Sequence, residues 1–419
     1  MTKTTIVLTL CLLLGLTALT AAKEVSRPEE IKSKRQVIYG KSTYETLAGQ
    51  WKEYYDAFPS EYAYANWMYA ARYAGDKDYA DLVDRGLDKY PANPTLLYLK
   101  SMLFADKFSA EERKYLEKAI ALDPDHPDAY FSLVISYMES GEQEKLDLAL
   151  RKLLSKGAIA EEVMDLNYNM LIGLEPDAIV ITNGDNDTYP GWVLQQVAGV
   201  RTDVVIVNRS LLATEWYPIQ IIKRGLPRFI GRDELTRMRH QLRDQKTGLR
   251  KGGGQFSDTL VQMLIESAER AGRPVHFFKT LHLTDPLMLL VEDSRDLGLT
   301  WLVTKSSESY GSQLKATVKT WLNDFRTGGV DSWRLRHVPR SDAGLRLVAN
   351  YAFAVGMMLE HLHTHAPELR IDLYKWYMKH IDPILDEDAR YRFNSYWCLF
   401  AADVPEIKAW CTKQGIETE

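Results

Sequence analysis

Cysteine is scarce: the 419-residue chain has three, at 11, 398 and 411. A disulfide-stapled scaffold is thereby excluded as the source of the fold. Basic excess is also missing, since 52 Lys and Arg stand against 57 Asp and Glu for a net charge of -5. That balance excludes a generally basic nucleic-acid binder. Beyond the first 22 residues no stretch approaches 18 apolar residues in a row, so no membrane-spanning helix is expected there. There is no GxSxG elbow, Walker loop, GxGxxG or CxxC, and no Ser–His or Cys–His pair is suggested by spacing. Nucleophilic catalysis, nucleotide cradling and dithiol chemistry therefore lack support. No cofactor and no metal is expected. What is present is a globular balance, 46% hydrophobic and 26% charged, rich in Tyr.

Residues 1–22 read as a secretory leader: Lys3, an apolar run from Ile6 to Leu19, then Thr20, Ala21 and Ala22. Cleavage after Ala22 would make the mature protein periplasmic or secreted. It would also remove Cys11 and leave Cys398 and Cys411. An exported chain permits a disulfide between these two; two reduced, buried thiols on neighbouring helices are the alternative.

Pro59, Pro91 and Pro124 recur at 32 and 33 residues, each after an aromatic or apolar helix end and before a pair of helical segments. A period near 34 with helix–turn–helix units resembles tetratricopeptide repeats, with an ordinary helical bundle as the alternative. After Gly173 the pattern changes. Short apolar runs at 178–182, 203–207, 274–279 and 299–304 alternate with helical patterns. Such runs suit parallel strands covered on both faces. The expected fold class is α+α/β: a tetratricopeptide-like helical array, a small doubly wound parallel α/β domain, and C-terminal helical hairpins. The expected boundaries are a leader at 1–22, a leading segment at 23–43, helical repeats at 44–173, the α/β domain at 174–312 and the C-terminal helical domain at 313–419. A basic stretch at 223–251 carries ten Lys and Arg against three acids and ends at Gly252, Gly253 and Gly254. It reads as a solvated helix with a flexible connection, or as an anion patch.

The strongest local feature is the run from Asn183 through Gly184, Asp185, Asn186 and Asp187 to Thr188, Tyr189 and Pro190. It follows the first strand and precedes a helix. Ligands of doubly wound sheets sit outside the carboxyl ends of the strands. Asn208 and Arg209, Lys279 and Thr280, and Lys305 follow the other strands and should face the same crevice. The expected ligand-binding residues are Asn183, Asp185, Asn186, Asp187, Asn208, Arg209 and Lys279, able to hold a hydroxyl-rich or anionic ligand through charge-assisted hydrogen bonds. Turn chemistry is the competing reading, with Thr188 capping the helix. A calcium loop is excluded because Thr188 and Leu194 stand where that motif needs Gly and Glu. His361, His363 and His365 mark the end of a helix; two of them share a face at a spacing that can bind zinc, but no HExxH accompanies them.

The stretch from the 178–182 strand to Tyr217 resembles the soluble C-terminal region of the bacterial protein O-mannosyltransferase-like membrane glycosyltransferases. The residues that carry the resemblance are Asn183 to Thr188, Pro190, Trp192, Gln195, Gly199, Arg201, Asp203, Val204, Asn208, Ser210, Leu211, Leu212, Trp216 and Tyr217. The run Arg273 to Phe277 and the Asn350-Tyr351-Ala352 helix extend it thinly. The resemblance is dense over 175–220. The catalytic module of that family is a many-helix membrane domain, which this sequence lacks, so transferase activity does not carry over. The expected function is an exported, non-catalytic protein-binding or scaffold protein of the cell envelope, accessory to protein glycosylation. Its expected partners are a protein or peptide on the helical-repeat surface, and a glycan or membrane glycosyltransferase. The alternative is a glycan- or glycoconjugate-acting enzyme with Asp185 and Asp187 as its carboxylates.

Overall fold

A computed structural model describes residues 25–104, 109–241, 253–400 and 403–416. The expected leader lies outside the described residues, as do 242–251 of the basic stretch. The chain divides into two compact units, one of residues 1–31 and 39–107, the other of 32–38 and 108–419. The division falls inside the expected helical array rather than at residue 173. No described helix is long and apolar enough to cross a membrane.

The first unit is helical: α1 (Lys41–Ala57), α2 (Glu61–Ala74), α3 (Tyr79–Lys89) and α4 (Pro94–Ser101). Its turns are encoded locally. Ser60 Oγ accepts the Ala63 N–H and Asn93 Oδ1 accepts that of Leu96, each filling an orphan donor of a first turn. Gly75 closes α2 at φ 73°, where a side chain would be strained. Gly86 lets α3 meet α2, since a Cβ there would lie 2.4 Å from the Tyr64 ring. The core is aromatic, with Tyr44, Trp51 and Tyr98 fully buried.

The second unit opens with α5 (Ala110–Leu122), α6 (Pro127–Ser140), α7 (Gln143–Ser155) and α8 (Glu161–Ile172). It continues through β1 (Ile179–Thr182), α9 (Tyr189–Gln196), β2 (Val205–Asn208), α10 (Tyr217–Lys223), α11 (Arg232–Gln241), α12 (Gly253–Arg270) and β3 (Val275–Phe278). Then come α13 (Asp285–Glu292), β4 (Arg295–Asp296), β5 (Thr300–Leu302), α14 (Tyr310–Asp324), α15 (Gly328–Asp331) and α16 (Ala343–Val348). The chain ends in α17 (Asn350–His365), α18 (Arg370–His380), α19 (Glu387–Phe400) and α20 (Pro405–Lys413).

The chain is mostly helical, with one small sheet in the second unit, an α+α/β architecture. The strand order is β2-β1-β3-β5-β4. β1 is parallel to β2 and β3, as expected, with Ile181 opposite Val207 and Phe277. The expected wholly parallel sheet is corrected at its far side. β5 runs antiparallel to β3, and β4 antiparallel to β5. The cause is a tight turn at Gly298, φ 79°, closed by Leu297 N–H to Thr300 O at 2.9 Å. Residues 295–302 thus form a hairpin where a helix followed by a parallel strand was expected. All four β1 residues are buried. The crossover from β1 runs out to β2 and the next returns from β2 past β1 to β3, in opposite directions, which places helices on both faces. Gly191 brings α9 onto the sheet: a Cβ there would lie 2.5 Å from Ile206 Cδ1.

The C-terminal helices pack within the same unit as the sheet. The Asn169 amide of α8 accepts the Arg326 N–H at 2.7 Å and donates to the Tyr351 hydroxyl at 2.7 Å. Gly329 lies so close to α8 that a Cβ would come 2.3 Å from the Glu162 nitrogen. Cys398 and Cys411 are joined, Sγ–Sγ 2.02 Å, pinning α19 to α20.

Candidate functional site

β1 sits between β2 and β3, so its carboxyl end and that of β3 border the point where the crossovers change direction. That is where open α/β sheets leave a crevice. The loop 183–188 leaves β1 there, and the loop 279–284 leaves β3.

Asp187 organises the two loops. It is 4% exposed and accepts three donors: the N–H of Asn183 at 2.9 Å, that of Gly184 at 2.7 Å and the Thr280 hydroxyl at 2.6 Å. Burial pushes its carboxyl above the ordinary range even against those donors. The His282 N–H reaches Asn183 Oδ1 at 3.3 Å. Thr188 does not cap α9 with its side chain. Its hydroxyl instead meets that of Thr182 at 2.6 Å and accepts from the Asn208 amide at 3.0 Å. Asn208 Oδ1 accepts the Leu211 N–H, and the Ser210 hydroxyl donates to Asn183 O.

Asp185 behaves differently. Its side chain is 47% exposed and pairs with Arg35 at 2.8 Å. Arg35 also pairs with Asp128 at 3.1 Å and lies 4.2 Å from the centre of the Phe131 ring. The Asn186 amide donates to Arg35 O at 3.1 Å. Residues 32–38 are pinned beside the loop by backbone bonds, Ile38 N–H to Ser341 O at 2.7 Å and Ala343 N–H to Gln36 O at 2.9 Å. An open pocket of about 330 Å³ adjoins this place, lined by Lys32, Arg35, Glu161, Glu162, Asn186 and Arg334 among others. The Arg334 guanidinium pairs with the buried Glu162 carboxylate and with Asp342.

Asn183, Asp185, Asn186, Asp187 and Asn208 are therefore brought together. Arg209 is diverted: it pairs with Asp258 of α12 at 2.6 Å, and the Thr284 hydroxyl holds the other oxygen of Asp258. Lys279 is not part of the group. Its ammonium is buried against Asp296 at 2.6 Å, 5.2 Å from the Trp301 and Phe353 ring centres. Burial pulls it below the usual lysine range, against the pull of Asp296. The pleat explains the difference, because successive strand side chains face opposite ways. Lys305 follows an antiparallel strand and so stands at the other pole, in a cleft of about 730 Å³ that also contains Glu266, Glu269 and Asp293.

His361 and His365 rest on the Tyr310 ring, at 5.5 and 4.9 Å between centres, and His363 meets Arg370 at 2.9 Å. Among the described residues no group of three or more His, Cys, Asp or Glu is placed to hold a metal ion.

Four of the remaining signature residues, Gln195, Arg201, Asp203 and Val204, form a brace. The Arg201 guanidinium donates to the carbonyls of Leu171, Leu174 and Glu175 and pairs with Asp203 through both its Nε and Nη2. The Gln195 amide donates to Arg201 O and Val204 O, both at 2.8 Å. Glu175, ahead of β1, and His276 make a second polar group that the sequence did not reveal. His276, fully buried in β3, bonds Glu175 at 2.6 Å and Thr300 at 3.0 Å. Burial alone would raise the Glu175 carboxyl, but the imidazole holds it below its ordinary value.

Fold and loop together define the class: a helix-rich protein whose small mixed sheet presents a braced polar loop at its switch point. A family model described as TMEM260-associated domain 2 matches residues 163–226, from α8 through α10. That stretch overlaps the 175–220 region of the resemblance drawn from sequence. No curated protein matches the chain, and no solved structure does.

Proposed function

We propose that the chain is an exported, non-catalytic protein-binding or scaffold protein of the cell envelope, accessory to protein glycosylation. The polar crevice beside Asp185 and Asn186 would hold a ligand or partner segment, while helical surfaces engage a protein or peptide. One observation carries this reading: the loop divides its labour. Asp187 is consumed in bracing, whereas Asp185 stays exposed and holds the guanidinium of Arg35, which with Asn186 lines an open pocket. A charge-assisted carboxylate contact of this kind is strong and oriented. The glycan-acting enzyme has less support, since acid/base work with Asp185 and Asp187 needs two carboxylates free to reach substrate.

The test compares wild type with Asp185→Asn, on glycan arrays and in envelope pull-downs scored for a multi-spanning glycosyltransferase. The expected result is a defined partner or glycan bound by wild type and lost in the variant, with melting unchanged. Equal binding by both proteins overturns the proposal for this crevice.

A further inference from the structure

A second cleft, about 390 Å³, lies between α17 and α19, far in sequence from the polar loop. Its size falls within the roughly 300–1,000 Å³ of small-molecule sites. The walls are Phe353, Met357, Phe393, Tyr396 and Trp397, with Arg392 at one side. Phe353 is 41% exposed although the rest of its helix is largely buried. Gly356 keeps the floor open: a Cβ there would stand 3.1 Å from Trp397 Nε1 and 3.4 Å from the Tyr396 ring.

The polar inventory is short. The Tyr396 hydroxyl is committed to Glu360 at 2.6 Å. Trp397 is 1% exposed, and its indole N–H has no hydrogen-bond partner among the described residues. Arg392 is exposed; its Nε donates to Asp388 O at 3.3 Å, and among the described residues its guanidinium has no ion pair. A glycan needs many more donors and acceptors than this. An apolar ring needs what is present: aromatic faces to stack on. The lone cation beside the trough calls for one anionic group on the same molecule, which a guanidinium grips in a fork.

We infer that this cleft is a binding site for a small aryl carboxylate, its ring between Phe353 and Phe393 and its carboxylate on Arg392. The probe is naphthoate, with naphthalene carboxamide as the neutral isostere, titrated calorimetrically into the intact protein and into Arg392→Gln and Phe393→Ala. One site per chain is expected for the acid. Arg392→Gln should weaken the acid by roughly tenfold or more and leave the amide unchanged. Phe393→Ala should weaken both, with thermal melts confirming that each variant is folded. No saturable binding of the acid by wild type, or equal affinity for acid and amide, would overturn the inference. So would an unaltered acid affinity in Arg392→Gln.

Discussion

Removing the Asp187 carboxylate tests the bracing of the polar loop. In Asp187→Ala three donors lose their acceptor: two backbone N–H groups and the Thr280 hydroxyl. Leaving a buried donor unpaired costs about 1–3 kcal/mol. Asn183 and Gly184 are only half-buried, so water recovers part of that cost. Relief from burying a charge recovers more, because burial already disfavours the ionised form. With the lower figure for each donor, the net loss is about 3 kcal/mol. Asp185→Ala removes an exposed pair worth at most about 1 kcal/mol. Because the chain has two units, a single melting transition would mix their contributions. Hydrogen–deuterium exchange of the peptide covering β1 and α9 reads the loop directly. At about 1.4 kcal/mol per tenfold, exchange there should speed up on the order of 100-fold in Asp187→Ala and at most about fivefold in Asp185→Ala. Equal protection in the two variants, or wild-type protection in Asp187→Ala, would refute the bracing role.

Four further outcomes are expected. Asp203 is held at about 2, first by the Arg201 hydrogen bonds, so its contribution is complete above its unfolded value near ~3.9 and is lost as pH falls through about 2. The melting difference between wild type and Asp203→Asn should therefore shrink over that interval. Asp296→Asn leaves the buried Lys279 ammonium without its counter-charge and should cost about 3–5 kcal/mol in denaturant titrations, while Lys279→Met with Asp296→Leu should recover most of it. Replacing both Cys398 and Cys411 by Ser opens a loop of separation 13, and should loosen the α19–α20 pair by about 2–3 kcal/mol, read by exchange of the 387–413 peptides. Mass spectrometry of protein recovered from the envelope should find Lys23 at or near the amino terminus; an intact Met1 start would contradict export with cleavage.

Strand positions were legible because fully buried parallel strands are short apolar runs between turn residues: 178–182 became Ile179–Thr182, and 274–279 became Val275–Phe278. The β4–β5 hairpin was hidden. Its first strand has two residues, and only Gly298 marked the reversal. The loop at 183–188 was legible as a site by its place after a strand, but the roles within it were not. Alternation of polar residues cannot show that Asp187 turns inward to three donors while Asp185 turns outward. Arg35 was invisible for a plainer reason: it lies 150 residues from Asp185, in a polar segment without periodicity. Lys279 turns to Asp296 and Arg209 to Asp258, and position at a strand end says nothing about such orientations. His276 sat inside an apolar run, where pairing with a residue 101 positions away leaves no local signal.

The most direct test of the proposed binding role is photo-crosslinking in living cells from Ser210, an exposed residue whose hydroxyl touches Asn183 O in the polar loop. A photoreactive residue at 210 should trap one discrete envelope component, and the adduct should disappear when Asp185→Asn is added. An adduct that persists at full yield in that variant, or no adduct at all in cells producing the folded protein, would contradict a recognition role for the Asp185 crevice.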